Sequence, residues 1–262
     1  MTLFADLHSR NPILSFTGWA HVALLVLALA LLPFDERLVT GVNPWVKPAK
    51  FCLSVLFYVW TLGWLLTYLP AADAPKVRWL SAGVALTMGA EIVIVFGQAA
   101  RGTTSHYNTT SALNGLLFGV MGLMIMVNLT LNVWALALVW RAPLAAGPAL
   151  AWGIRLGVLL FILGSVEGGL MIRQSAHTVG APDGGPGLLG LGWSTRAGDL
   201  RIAHFLGMHA LQALPLLGWG LDRAGVAPTV GVAAQVGAAL GWGALVGLVL
   251  TRALAGRALY FS

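Results

Sequence analysis

Long apolar stretches dominate the chain, each broken by a short interval of Pro, Gly, Asn and charged residues. A helix that crosses a bilayer needs about 20 mainly apolar residues. Seven windows reach that length: 12–34, 44–69, 79–100, 111–140, 149–172, 201–221 and 229–255. Within lipid, helices satisfy their own backbone groups. The pattern therefore predicts an all-α fold, a polytopic transmembrane helical bundle of about seven spans. Residues 1–262 are expected to form a single integral membrane domain.

Local signals mark the span ends. Asn11-Pro12 and Asn43-Pro44 each set a capping residue before a proline at the first helical position. Thr110 or Ser111, Asp199 and Thr229 are expected to cap the fourth, sixth and seventh spans. Pro215 falls inside the sixth span and predicts a kink. Gly164 with Gly168, Gly237 with Gly241, and Gly243 with Gly247 repeat at the spacing that lets membrane helices pack closely. The chain carries no convincing internal repeat, which counts against an inverted-repeat transporter.

Composition strengthens the membrane assignment. Only 9% of residues are charged and 58% are hydrophobic, against about 25% charged in a typical soluble domain. The net charge of +6 comes from cations between apolar runs, where they serve topology and headgroup contact. The bilayer is thus the expected partner, with a small-molecule or lipid ligand, and nucleic acid is not. Cys52, the single cysteine, excludes an intramolecular disulfide and multi-cysteine metal motifs. The start of the chain does not read as a cleaved signal. Many Gly, Ala and Leu with few Lys suit a bacterial cytoplasmic membrane.

Seven spans would place the ends of the chain on opposite faces. The face receiving the loops at 35–43, 101–110 and 173–200 carries more Lys and Arg, so it is expected to be cytoplasmic. The 173–200 loop is long, Gly/Pro-rich and contains Leu188, Leu189, Leu191 and Trp193. Its apolar content predicts a lid folded onto the bundle.

Ionisable residues inside spans are costly and usually face the bundle interior. Glu91 and Gln98 share a face of the third span; Asn114, Met121 and Asn128 form a stripe on the fourth, with Asn132 one turn beyond. Glu167 lies in the fifth span, His204, His209 and Gln212 in the sixth, and His21 in the first. Each has a bland alternative, such as a backbone-bonded histidine, an interhelical Asn pair or a Glu167–Arg173 pair. Two carboxylates and three histidines together are harder to explain so.

The expected site lies between the third, fifth and sixth spans beneath the 173–200 loop. Glu91, Glu167 and His209 are its candidate acid–base or metal-binding core. Arg101, Arg173, Gln98, Asn128 and Lys50 are candidates for substrate or anion contact, with Lys47 on the same helix face as Lys50. As metal ligands, His21 and His209 could hold a haem; His106, His177 and His204 with Glu167 or Asp183 could hold zinc. Neither set has diagnostic spacing, and His204 and His209 point about 140° apart. The sixth span lacks the His-x3-His of membrane zinc hydrolases, and the seventh lacks a lysine for a retinal Schiff base. A membrane enzyme or small-ligand-binding protein is the favoured class. A proton-coupled transporter, channel or sensor, and a non-catalytic scaffold subunit, are the alternatives.

Overall fold

A computed structural model describes residues 3–188 and 190–259. Eight α-helices account for most of them: α1 Leu3–Arg10, α2 Pro12–Leu31, α3 Val46–Leu66, α4 Ala74–Ala100, α5 Ala112–Arg141, α6 Pro148–Gln174, α7 Leu200–Arg223 and α8 Pro228–Leu254. The all-α bundle is therefore observed. Among the described residues, six helices are long and apolar enough to cross a membrane. The remaining long helix, α7, has 24 residues. Its His204, His209, Gln212 and Pro215 dilute the apolar run. The chain divides into two compact units, one ending at Ala145 and one beginning at Ala146.

In the first unit, α1 is a short helix that the hydrophobic pattern does not reveal. Asn11 separates it from α2 and caps α2 as expected, accepting from the Leu14 amide at 3.2 Å. Ser111 caps α5 by accepting from the Asn114 amide. Asn43 does not cap α3, which starts at Val46 without a side-chain cap. Its amide donates instead to the Leu32 and Asp35 carbonyls and so closes the 35–43 loop. Asp35 is the centre of that loop: it accepts from Arg37 at 2.6 Å and from the Trp45 indole at 2.8 Å. The Arg37 hydrogen bonds hold its carboxyl below the usual carboxylate range.

In the second unit, glycines bring α6 and α7 together. A Cβ on Gly164 would lie 2.6 Å from Gly207 Cα, and one on Gly218 would lie 2.5 Å from the Ala149 carbonyl oxygen. Asp222 accepts from the Ala149 and Leu150 amides and so caps α6 from the far end of α7. Pro215 is buried in α7; the Gln235 amide of α8 donates to the neighbouring Leu214 carbonyl at 2.9 Å. Two expectations for α8 fail. Its cap position is Ala227, with Pro228 at the first turn, so Thr229 is already helical. Gly237, Gly241 and Gly247 would meet nothing within 4 Å, so their spacing does not pack a helix among the described residues.

The segment after α6 is built rather than slack. Thr178–Val179 (β1) pairs antiparallel with Gly198–Asp199 (β2). A Cβ on Gly198 would clash with the Ala253 carbonyl, which places the short ladder on the end of α8. Trp193 packs against the cluster of Ile202, Ala203 and Val249. The expected fold-back of the loop onto the helices is thus seen at Trp193, while Leu191 is exposed and Leu189 lies outside the described residues.

Candidate functional site

The first unit gathers polar side chains at two levels. At the deeper level, α3, α4 and α5 meet around Tyr58. Its hydroxyl donates to Asn128 Oδ1 at 2.7 Å and accepts from Asn132 Nδ2 at 2.7 Å. Asn132 also donates to Asn128, whose own amide approaches Met88 Sδ at 3.5 Å. The predicted stripe of Asn114, Met121, Asn128 and Asn132 is buried on one side of α5. Tyr58 was the partner that sequence could not supply, since aromatic residues on α3 look like ordinary core.

The outer level lies where α3 begins, α4 ends and α5 begins. Gln98 donates to Asn114 Oδ1 at 3.1 Å, and Arg101 donates to Gln98 Oε1 and Asn114 Oδ1 at 2.5 and 2.9 Å. Asn114 in turn donates to the Thr110 hydroxyl. The guanidinium of Arg101 therefore braces the α4–α5 junction. Asn108 closes the 101–110 loop through Thr103 and Thr104.

His106 sits against this junction, edge-on to Phe51 and tilted over Phe118. Lys47 Nζ donates to its Nδ1 at 3.1 Å, and Ser105 Oγ lies at the same distance. A nitrogen that accepts from an ammonium cannot carry a proton, so His106 is neutral with its N–H on Nε2. Burial, helped by the Lys47 charge, pulls its pKa down to about 3. Lys50, the other lysine on that helix face, is exposed.

Glu91 completes the group. It is 2% exposed, and neither carboxyl oxygen has a hydrogen-bond partner. It interacts electrostatically with Lys47, although the two form no ion pair within contact distance. Buried carboxyls are normally hydrogen-bonded or paired, so this one is anomalous. His21, on α2, donates from Nδ1 to the Thr17 carbonyl at 2.7 Å and leaves Nε2 buried without a partner.

The remaining candidates belong to the second unit. His204 donates from Nδ1 to the Gly164 carbonyl at 2.6 Å, a brace between α7 and α6. His209 donates to Gln212 Oε1 at 3.3 Å and stands edge-on to Phe205 at 4.0 Å. Glu167 is 7% exposed with both oxygens unpartnered, so the suggested Glu167–Arg173 pair does not form. Arg173 is exposed in the last turn of α6. His177 pairs with Asp183 at 3.0 Å.

Asp199 caps α7 as predicted and does more. It accepts from the Ser194 amide, the Arg201 amide and the Arg201 guanidinium, tying loop to helix. Burial works against its charge, but the Arg201 and Ser194 bonds prevail and hold its pKa below the ordinary value.

Among the described residues, no three His, Cys, Asp or Glu side chains converge to hold a metal ion. The suggested zinc set takes His106 from the first unit and His177, His204 and Glu167 or Asp183 from the second. No family model, curated protein or solved structure matches this chain.

Proposed function

We propose that this membrane protein handles protons through Glu91, with Lys47 and His106 linking that carboxyl to the 101–110 loop. One observation carries the reading: a carboxyl 2% exposed, with both oxygens bare, beside a lysine that already engages a neutral histidine. Ionisable groups within membrane helices mark proton or ion pathways when they are not simply paired. A proton is the ligand that such a tightly enclosed carboxyl can take up with least rearrangement. The functional class is a proton-coupled transporter or sensor. A membrane enzyme using Glu91 as general acid–base towards a small or lipid ligand would draw on the same group. In either case the exposed Lys50 and Arg173 are proposed for anion or headgroup contact, and Arg101 for bracing the α4–α5 junction. A bacterial cytoplasmic membrane is the proposed location, with the 35–43 and 101–110 loops and the adjoining Lys47, Lys50 and Arg101 towards the cytoplasm.

The test is an infrared pH titration of the purified protein in lipid vesicles. Glu91→Gln should remove a protonated-carboxyl carbonyl band that titrates in the native protein, and Lys47→Met should move the midpoint of that band. A spectrum indifferent to Glu91→Gln would overturn the assignment of the proton to Glu91. A midpoint indifferent to Lys47→Met would remove Lys47 and His106 from the path.

A further inference from the structure

The second unit has a bare carboxyl of its own. Glu167 of α6 is 7% exposed, and neither oxygen accepts a hydrogen bond. Helix periodicity fixes its direction. Leu160 packs against the cluster of Ala210, Leu214 and Ala239, where α7 and α8 meet α6. Seven residues bring a helix almost back to its starting direction, about 10 Å further along. Glu167 therefore projects from the same face of α6 as Leu160, into the seam of the three helices.

The groups packed around that seam are already committed elsewhere. On α7, His204 donates to the Gly164 carbonyl, His209 to Gln212 and Arg201 to Asp199. On α8, Arg252 donates to the Ala258 carbonyl. On α6 itself, Arg173 is exposed at the end of the helix, and Ser165 donates back to the Phe161 carbonyl. None of them hydrogen-bonds a Glu167 oxygen. The backbone beside it is also drawn in tightly, with Gly164 against Gly207 and Gly168 against His204. An uncompensated anion in such a seam is costly, whereas a neutral carboxyl is tolerated.

From this we propose that Glu167 is a second proton-binding site, confined to the second unit, whose carboxyl exchanges its proton with water. It does not depend on the role given to Glu91, and the two are read separately.

The experiment is infrared spectroscopy of the full chain in vesicles, in H2O and D2O. A protonated-carboxyl band should persist in Glu91→Gln, shift in D2O and disappear in Glu167→Gln. A band untouched by Glu167→Gln, or one that does not shift in D2O, overturns the proposal. Should the variant fail to fold, labelling of the native chain by a lipophilic carbodiimide decides, with the modified peptides mapped by mass spectrometry. The peptide bearing Glu167 should be modified in acid and progressively less as pH rises. Its absence from the modified peptides at every pH overturns the proposal.

Discussion

The two units satisfy their buried polar groups in different ways. In the first, side chains bond mainly to side chains across helices: Tyr58 to Asn128 and Asn132, Gln98 and Arg101 to Asn114, and Lys47 to His106. In the second, side chains reach for backbone. His204 takes the Gly164 carbonyl, Gln235 that of Leu214 and Trp242 that of Leu206, while Asp222 holds two amides of α6. Glycine explains the contrast. Gly153, Gly157, Gly164 and Gly218 let α6 and α7 touch backbone to backbone, so carbonyls lie within reach of a neighbouring helix. In the first unit the Trp60 indole makes a helix-to-helix bond of this second kind, to the Ser15 carbonyl, and it too lies beside a glycine, Gly18, while Arg37 reaches the Ala100 carbonyl from the 35–43 loop.

The harshest way to break this contrast is to fill the α6–α7 contact. Gly164→Leu sets a side chain into Gly207 backbone and should destabilise the second unit by about 3 kcal/mol or more, since overpacking against backbone cannot be relieved by a rotamer change. Detergent-titrated unfolding would measure it. Gly241→Leu is the matching control on α8, where nothing lies within 4 Å, and should leave the midpoint unmoved. Equal losses in both variants would show that glycine spacing alone, and not the α6–α7 contact, matters.

A smaller effect is expected in the first unit. Tyr58→Phe removes the hydroxyl that joins Asn128 to Asn132 and should cost about 1 kcal/mol, because the two amides keep their mutual bond. Unfolding of the variant in the same detergent titration checks it. A loss as large as that of Gly164→Leu would mean that the side-chain network, and not helix packing, holds this unit together.

The effect that is smallest at neutral pH sharpens the outer level. His106 is held neutral in the folded chain, with its pKa pulled from 6.5 to about 3. The unfolded chain therefore binds more protons between those values, so His106 makes stability rise with pH across that window. The contribution is fully present above the unfolded value and is lost as pH falls through the window. Comparing unfolding midpoints of the native chain and His106→Gln at several pH values tests the sign: the variant should show the shallower acid loss.

Much of the fold is legible in the sequence itself. Apolar run length set the spans, because a bilayer of fixed thickness imposes it. Caps at Asn11, Ser111 and Asp199 were readable because they act within three residues of themselves. The buried stripe on α5 and the shared face of Glu91 and Gln98 follow from helical periodicity. Asn43 and Thr229 show where local reading fails. Asn43 is drawn to carbonyls eight and eleven residues earlier, and Pro228 starts α8 one residue before Thr229.

The chain alone thus determined that it is a bundle of long apolar helices, and which faces of them are polar. Only the tertiary structure decided which polar groups are satisfied. It found Tyr58 for Asn128, the Gly164 carbonyl for His204 and the α6 amides for Asp222, and it left Glu91 and Glu167 without hydrogen-bond partners. Hydrogen bonding acts over about 3 Å, whereas these partners lie 40 to 73 residues apart in the chain. No periodicity within one helix encodes such a meeting.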